Sequence, residues 1–258
     1  MIDLHCHILP GLDDGPSAMD ESVEMCRIAA ADGIRTIVSS PHFRPGKYDY
    51  TAVRMQELLD ELRGRLQSEH IEVAVLPAAE VAITPDLPSL LQKETHLTIN
   101  GGKYFLVEFP NDMIPPRWTQ FLSPLNLKGR VPVLVHPERS RWLAAHADDL
   151  ALFVEYGGLV QITAGSLLGE SGSDVRDAAV MLLKRNLAQV IASDAHSADM
   201  RPPRLAAAVR RAAEIVGQER AKAMATDAPA AILAGERVVM PPPAPAERRG
   251  WFARMMTF

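Results

Sequence analysis

The sequence predicts an α/β fold built on a mostly parallel sheet, with enough strands to suggest an irregular barrel. Three observations carry that reading. Short apolar runs alternate with longer helical patterns along the chain. The helical stretches are long enough to cross back over a sheet between parallel strands. The apolar runs end in histidines and carboxylates, and parallel barrels build their sites on the rim at the C-terminal ends of the strands.

In order, strands are expected over 1–5, 34–39, 72–79, 104–109, 131–136, 158–163 and 188–193. Amphipathic helices are expected near 18–32, 50–69, 115–126, 142–156, 174–186 and 203–216. No segment repeats at a fixed spacing, which argues against a solenoid. After Gly235 the chain changes character, because Pro241, Pro242, Pro243 and Pro245 form a stiff stretch that cannot join a helix or a central strand. Residues 1–239 are therefore read as one domain and 240–258 as an appendage of proline linker and tail. In that tail Arg248, Arg249 and Arg254 alternate with Trp251, Phe252, Met255, Met256 and Phe258. Such a segment could dock on a partner, a neighbouring subunit or an anionic membrane surface.

Composition sets limits on function. The 258 residues are 47% apolar and 23% charged with a formal net charge of -5, ordinary values for a soluble globule. That mild acidity argues against a bulk nucleic-acid binder. The two cysteines, Cys6 and Cys26, are too few for a disulfide framework and fit a reducing compartment. No apolar run approaches the roughly 18 to 20 residues that a membrane-spanning helix needs. The opening MIDLHCHILPGLDDGP already holds candidate metal ligands and lacks the basic and apolar regions of a signal peptide, so a cytoplasmic location is expected.

The chemistry rests on a conjunction. His5, His7, Glu80, Glu108, His136, Asp194 and His196 all fall at or just past predicted strand ends. His5 and His7 are two apart, so on an extended segment both imidazoles face one side and Cys6 the other. Imidazole with carboxylate, and no thiolate, suits zinc, manganese or iron. Each residue alone has a plainer explanation: a solvated or capping carboxylate for Glu80 or Glu108, a loop closure for His42. Several strand ends each presenting a ligand type are harder to explain as surface decoration, because buried charges need partners or a metal. His70, His96 and His146 read as ordinary surface histidines. Arg139 and Arg201 lie just beyond ligand positions, where a guanidinium could hold phosphate by two bonds. A salt bridge, with Glu138 or Asp148 for Arg139, explains them equally well. Glu138 could be a ligand or an orienting partner.

Two familiar phosphate chemistries are excluded. A cysteine phosphatase needs arginine six positions after the cysteine, and Cys6 leads to Leu12 and Cys26 to Asp32. The phosphate-binding Gly-x-x-x-x-Gly-Lys-Ser/Thr loop is absent, since Gly101-Gly102-Lys103-Tyr104 lacks both the first glycine and the hydroxyl.

Taken together, the opening segment, Pro41-His42, Ala79-Glu80, Val107-Glu108-Phe109, His136-Pro137-Glu138-Arg139, Ser193-Asp194-Ala195-His196 and Arg201-Pro202-Pro203 resemble the polymerase and histidinol phosphatase (PHP) superfamily. Within it, Asp13-Asp14-Gly15-Pro16 and the final Arg-Pro-Pro resemble the bacterial manganese-dependent protein-tyrosine phosphatases of the CpsB/CapC type. The resemblance spans about residues 1 to 236 and implies a distorted (β/α)7 barrel with two or three metal ions. Manganese is implied first, with iron, zinc or magnesium as alternatives. His5, His7, Glu80 and Asp194 would hold one ion, Glu80, Glu108 and His136 a second, and Asp14, His42 and His196 a third. Arg139 and Arg201 match the phosphate-holding arginines, and His42 could assist the leaving group. The implied reaction is attack of a metal-activated hydroxide on a phosphotyrosine protein, a membrane tyrosine autokinase of capsule or exopolysaccharide synthesis. Competing readings are a phosphatase of a small metabolite such as histidinol phosphate, an amidohydrolase-type hydrolase, and a metal-bearing scaffold without catalysis.

Overall fold

In the computed structural model of the protein, residues 1–109, 114–239 and 241–245 are described. Each predicted strand is present, and all pairings between strands are parallel. The strands are β1 (Ile2–Cys6), β2 (Thr36–Ser39), β3 (His42–Phe43), β4 (Ala74–Pro77), β5 (Glu80–Ala82), β6 (Tyr104–Glu108), β7 (Val131–Val135), β8 (Leu159–Thr163) and β9 (Val190–Ala192). Nine strands appear where seven were expected, for two reasons. The stretch over 34–39 is interrupted and resumes as β3, and the stretch over 72–79 resumes as β5. Taking each interrupted pair as one, neighbours in sequence are neighbours in space throughout: β1-β2-β4 form one sheet and β3-β5-β6-β7-β8-β9 the other. The far edges meet as well. Asp194 N donates to His5 O at 2.8 Å and His7 N to Ala195 O at 2.8 Å, so the exit of β9 lies against the exit of β1.

The helices follow from apolar spacing and end signals. Helix α1 (Met19–Ala31) has Asp20 and Glu21 in its first turn, where carboxylates favour the helix dipole, and it stops at Gly33 with φ +89°. Helix α2 (Ala52–Ser68) is capped by Thr51 and buries Met55, Leu58, Leu59, Leu62 and Leu66, a single stripe at helical period. Helices α4 (Trp118–Leu127), α8 (Ser173–Lys184) and α9 (Ala206–Val216) also lie where they were expected. The helix expected over 142–156 is two, α5 (Arg141–Ala145) and α6 (Ala147–Glu155), because His146 between them leaves helical geometry at φ -112°, ψ 44°. Four short helices had no sequence signal strong enough to name: α3 (Leu87–Lys93), α7 (Ala164–Leu168), α10 (Gln218–Ala223) and α11 (Asp227–Leu233).

Burial divides the sheet into two faces with period two. Phe105, Val107, Leu134, Val160, Ile162 and Ile191 join a large core shared with the helices. Tyr104, Leu106, Val131, Val133, Val135 and Val190 join a smaller core with Leu4 and Val38. The proline stretch lies on the domain rather than hanging from it. Asn186 Nδ2 donates to Pro242 O at 2.9 Å, Ala244 N to Arg185 O at 2.8 Å, and Tyr104 Oη to Glu236 O at 2.5 Å. These partners sit at or near the N-terminal ends of β6 and β9, the end away from the candidate ligands. The expected basic and aromatic tail lies outside the described residues.

Candidate metal centre

Eight of the expected residues reach a common cluster because the strands deliver them to one end. His5 is the last residue but one of β1 and His7 follows that strand; Glu108 closes β6; His136 follows β7; Asp194 and His196 follow β9. Glu80 opens β5 and is paired in register with His42 of β3, so the interruptions noted above are what bring these two side chains together. His136 and Asp194 turn the chain out of their strands at φ +37° and +52°, conformations that cost a non-glycine residue energy and that collect at functional sites.

The floor of the cluster is a set of four opposed acceptors. His5 Nδ1 lies 3.0 Å from Gln161 Oε1, and His7 Nδ1 lies 2.6 Å from Asp13 Oδ2. Facing an oxygen acceptor, each Nδ1 donates to it, which turns each Nε2 into the cluster as the atom free to ligate. The two Nε2 atoms face each other at 3.1 Å. Glu80 Oε2 stands 3.4 and 3.3 Å from them, and Asp194 Oδ1 3.4 Å from both. These side chains are 0 to 2% exposed. Four lone-pair atoms so close and so dry repel one another unless a cation or protons lie among them, and the set is two imidazoles and two carboxylates, a good match for a transition-metal ion.

Around that floor the cluster widens. Glu80 Oε1 is 2.7 Å from His136 Nε2, while its Oε2 is also 2.8 Å from His42 Nδ1, so the two oxygens serve different neighbours. His42 Nδ1 lies 3.3 Å from Glu108 Oε1, and Asp14 Oδ1 is 3.6 Å from Nε2 of both His42 and His196. Three groups have spacing fit for an ion: His5 with His7 and Glu80; His42 with Glu80 and Glu108; and His7 with Asp14, His42 and His196. The grouping differs from the expected one in three respects. His7 and His42 are each shared between two groups, Asp194 is in none of them although its Oδ1 lies 3.4 Å from both His5 and His7 Nε2, and His42 rather than His136 joins Glu80 and Glu108, with His136 on the opposite oxygen of Glu80.

Electrostatics favour cations throughout. Burial works against charge on Glu80, yet His5, His136 and His42 hold its carboxyl well below the usual range. Asp194 is likewise buried and is held low by His5, His7 and Arg139. Burial also opposes charge on His42, but Glu108 and Glu80 carry its imidazole up to about 10. His7 rises well above the ordinary value against burial, through Asp13, Asp194 and Glu80. His196 moves the other way, down to about 3, through burial and the neighbouring charge of His7. Protons on His7 and His42 thus occupy places that an incoming divalent ion would take, with their release.

Arg139 and Arg201 meet on one oxygen. Arg139 Nη1 donates to Asp194 Oδ2 at 2.5 Å, and Arg201 Nη2 donates to the same oxygen and to Asp194 O, both at 2.7 Å. Neither suggested partner of Arg139 takes part: Glu138 accepts from Thr163 N, and Asp148 pairs with Arg185. The arginines are 31 and 43% exposed, so part of each guanidinium reaches solvent beside the cluster, while Arg139 Nε is buried without a hydrogen-bond partner among the described residues. Of the three histidines read as surface residues, His70 and His146 are exposed. His96 is a correction: its side chain is only 13% exposed, packed edge-on against Phe43 and Tyr50, and burial lowers its basicity.

Sequence reasoning missed the residues behind the ligands. Asp13 Oδ2 takes His7 Nδ1 and the His42 N–H at 2.7 Å, while its Oδ1 accepts from Gly15 N at 2.9 Å. Gly15 must be glycine here, since a Cβ would sit 2.8 Å from His7 O. Asp3, fully buried, accepts from Ser193 N and Oγ, and burial lifts its carboxyl to about 6 despite Ser193. Gln161 was detectable as the lone amide in the apolar strand Leu159–Thr163, and Asp13 as the twin of Asp14. Partners of this kind fix the tautomer and basicity of ligating histidines. Asp13→Asn should therefore weaken metal affinity by roughly 10- to 100-fold, read by titrating the stripped protein with metal; unchanged affinity would remove Asp13 from this role.

Comparison with known proteins agrees with this architecture. The family model for capsular polysaccharide synthesis, CpsB/CapC, matches residues 1–234. Tyrosine-protein phosphatase YwqE of Bacillus subtilis (strain 168) is 38% identical over 252 residues, covering 98% of this chain and 99% of that one. Tyrosine-protein phosphatase CpsB of Streptococcus pneumoniae is 29% identical over 238 residues, covering 90 and 98%. A chain from the crystal structures of YwqE and CpsB, described there as unique metal-dependent tyrosine phosphatases, matches with a TM-score of 0.91 and 37% identity, covering 96% of this chain and 100% of that chain. With a full-length relative above a third identity and a family model that spans the whole barrel, this chain belongs to the CpsB/CapC family.

Proposed function

We propose that this protein is a metal-dependent phosphatase of phosphotyrosine in proteins. The observation that carries the reading is the convergence of His5 Nε2, His7 Nε2, Glu80 Oε2 and Asp194 Oδ1 beneath two partly exposed guanidiniums. His5, His7, Asp14, His42, Glu80, Glu108, His136, Asp194 and His196 would hold two or three ions, manganese first among them. When bound, such ions neutralise phosphate oxygens and supply an activated hydroxide for in-line attack on phosphorus. The protein's own part is positioning. Glu80 sets the spacing by offering its two oxygens to different neighbours, and Asp194 ties the floor to both arginines. Arg139 and Arg201 stabilise charge on the transferring phosphoryl group from the mouth. A phenolate, with an ordinary pKa of about 10, leaves without full protonation, and any assistance falls to His42, 17% exposed at the edge of the cluster.

The names of the relatives support a phosphotyrosine substrate, and the family description supports a role in capsular polysaccharide synthesis. The proposed setting is the cytoplasm and the proposed substrate a membrane tyrosine autokinase of that process. Stripping the protein of metal should abolish turnover of p-nitrophenyl phosphate and of a phosphotyrosine peptide, and reloading with manganese should restore both. Activity indifferent to metal would sink the proposal, and faster turnover of histidinol phosphate than of the peptide would redirect it to a small metabolite.

A further inference from the structure

The open edge of the cluster carries an aromatic side chain that neither the ligand set nor the arginines account for. Beyond His42 and Phe43 the chain makes a tight turn, in which Arg44 N donates to Tyr48 O at 3.1 Å and Tyr48 N to Arg44 O at 2.9 Å. Gly46 supplies the positive φ of +81° at its tip, and Gly46 N donates to Asp49 Oδ2 at 2.7 Å. The turn fixes the Tyr48 ring nearly parallel to the His42 imidazole, at 11° and 5.5 Å between centroids. The ammonium of Lys47, an exposed residue, lies 4.3 Å from the centroid of the Tyr48 ring.

Position gives this arrangement its meaning. The floor ligands are buried, whereas His42 is 17% exposed, Glu108 14% and Asp14 56%, so the cluster is open to solvent on this side as well as at His136, 19% exposed. Arg139 and Arg201 mark another part of the mouth. An ester that reached the cluster from this side would project its organic group past His42 toward the Tyr48 ring, which lies 5.5 Å from the imidazole between centroids. A flexible lysine is an easily displaced cover for that ring, held by cation–π attraction of modest size. An arene taking its place gains an offset or edge-on ring contact that an alkyl group cannot make.

We propose that Tyr48 is a specificity-determining residue whose ring receives the arene of an aryl phosphate and so favours phosphotyrosine over alkyl phosphate esters. This rests on the phosphatase reading given above. The test uses the metal-loaded protein and two inhibitors of p-nitrophenyl phosphate turnover that differ only in the ring, phenylphosphonate and methylphosphonate. The wild type should bind phenylphosphonate more tightly. Tyr48→Ala should shrink that preference by roughly three- to ten-fold with metal content unchanged, and Tyr48→Phe should keep it. A preference that survives in Tyr48→Ala overturns the proposal. So does a fall in metal content with equal weakening of both inhibitors, which would make Tyr48 a prop for His42. A metal-loaded wild type that leaves p-nitrophenyl phosphate intact refutes the phosphatase reading itself, and this inference with it.

Discussion

Replacing Glu80 with alanine should lower bound metal and reduce phosphatase turnover by roughly three orders of magnitude, about 4 kcal/mol of activation free energy. The expectation follows from one side chain facing four imidazoles: Oε2 lies 3.4, 3.3 and 2.8 Å from nitrogens of His5, His7 and His42, and Oε1 lies 2.7 Å from His136. No neighbour can take over both directions. Glu80→Gln retains the volume but loses the charge, and should lose metal as well, which separates electrostatics from packing. Metal analysis of the purified variants, alongside circular dichroism to confirm folding, decides the matter. Full occupancy in Glu80→Ala would show that the centre is assembled without it.

The second large effect is expected at the mouth. Arg139→Ala or Arg201→Ala should keep metal bound, because the other arginine still holds Asp194 Oδ2, yet lose about 2 to 4 kcal/mol of transition-state stabilisation. Arg→Lys should also be impaired, since an ammonium cannot make the paired contact. Steady-state kinetics with metal analysis distinguishes two roles. Near-normal turnover would count against phosphate binding, and loss of metal would reassign the arginines to holding Asp194.

The legible parts of this fold were those with local cause. Runs such as Val131–Val135 and Leu159–Thr163 are apolar and β-branched, and their positions follow from sequence. Strands β3 and β5 were not legible as separate elements, since two or three residues carry no period and their existence depends on the pairing of His42 with Glu80. Helix α6 was lost inside a longer pattern because the break at His146 is a backbone event without a proline or glycine to announce it. At the site, histidines and acids at strand ends stood out because their chemistry is unusual there. Asp13 and Asp3 did not, because a carboxylate becomes an orienting group only through what it faces, and both face residues brought close by the fold: His42 lies 29 positions from Asp13, and Ser193 190 positions from Asp3. His96 was misread for the same reason, its burial being due to Phe43 and Tyr50 from another part of the chain.

The fastening of residues 236–245 beneath the barrel gives the molecule a direction. Residues 241–245 lie at the end of the strands remote from the metal centre, beside Arg185 and Asn186. A five-residue strand such as β6 spans roughly 17 Å. A surface that met residues 241–245 would therefore stand at least about that far from the metal centre, on the opposite end of the strands from the ligands.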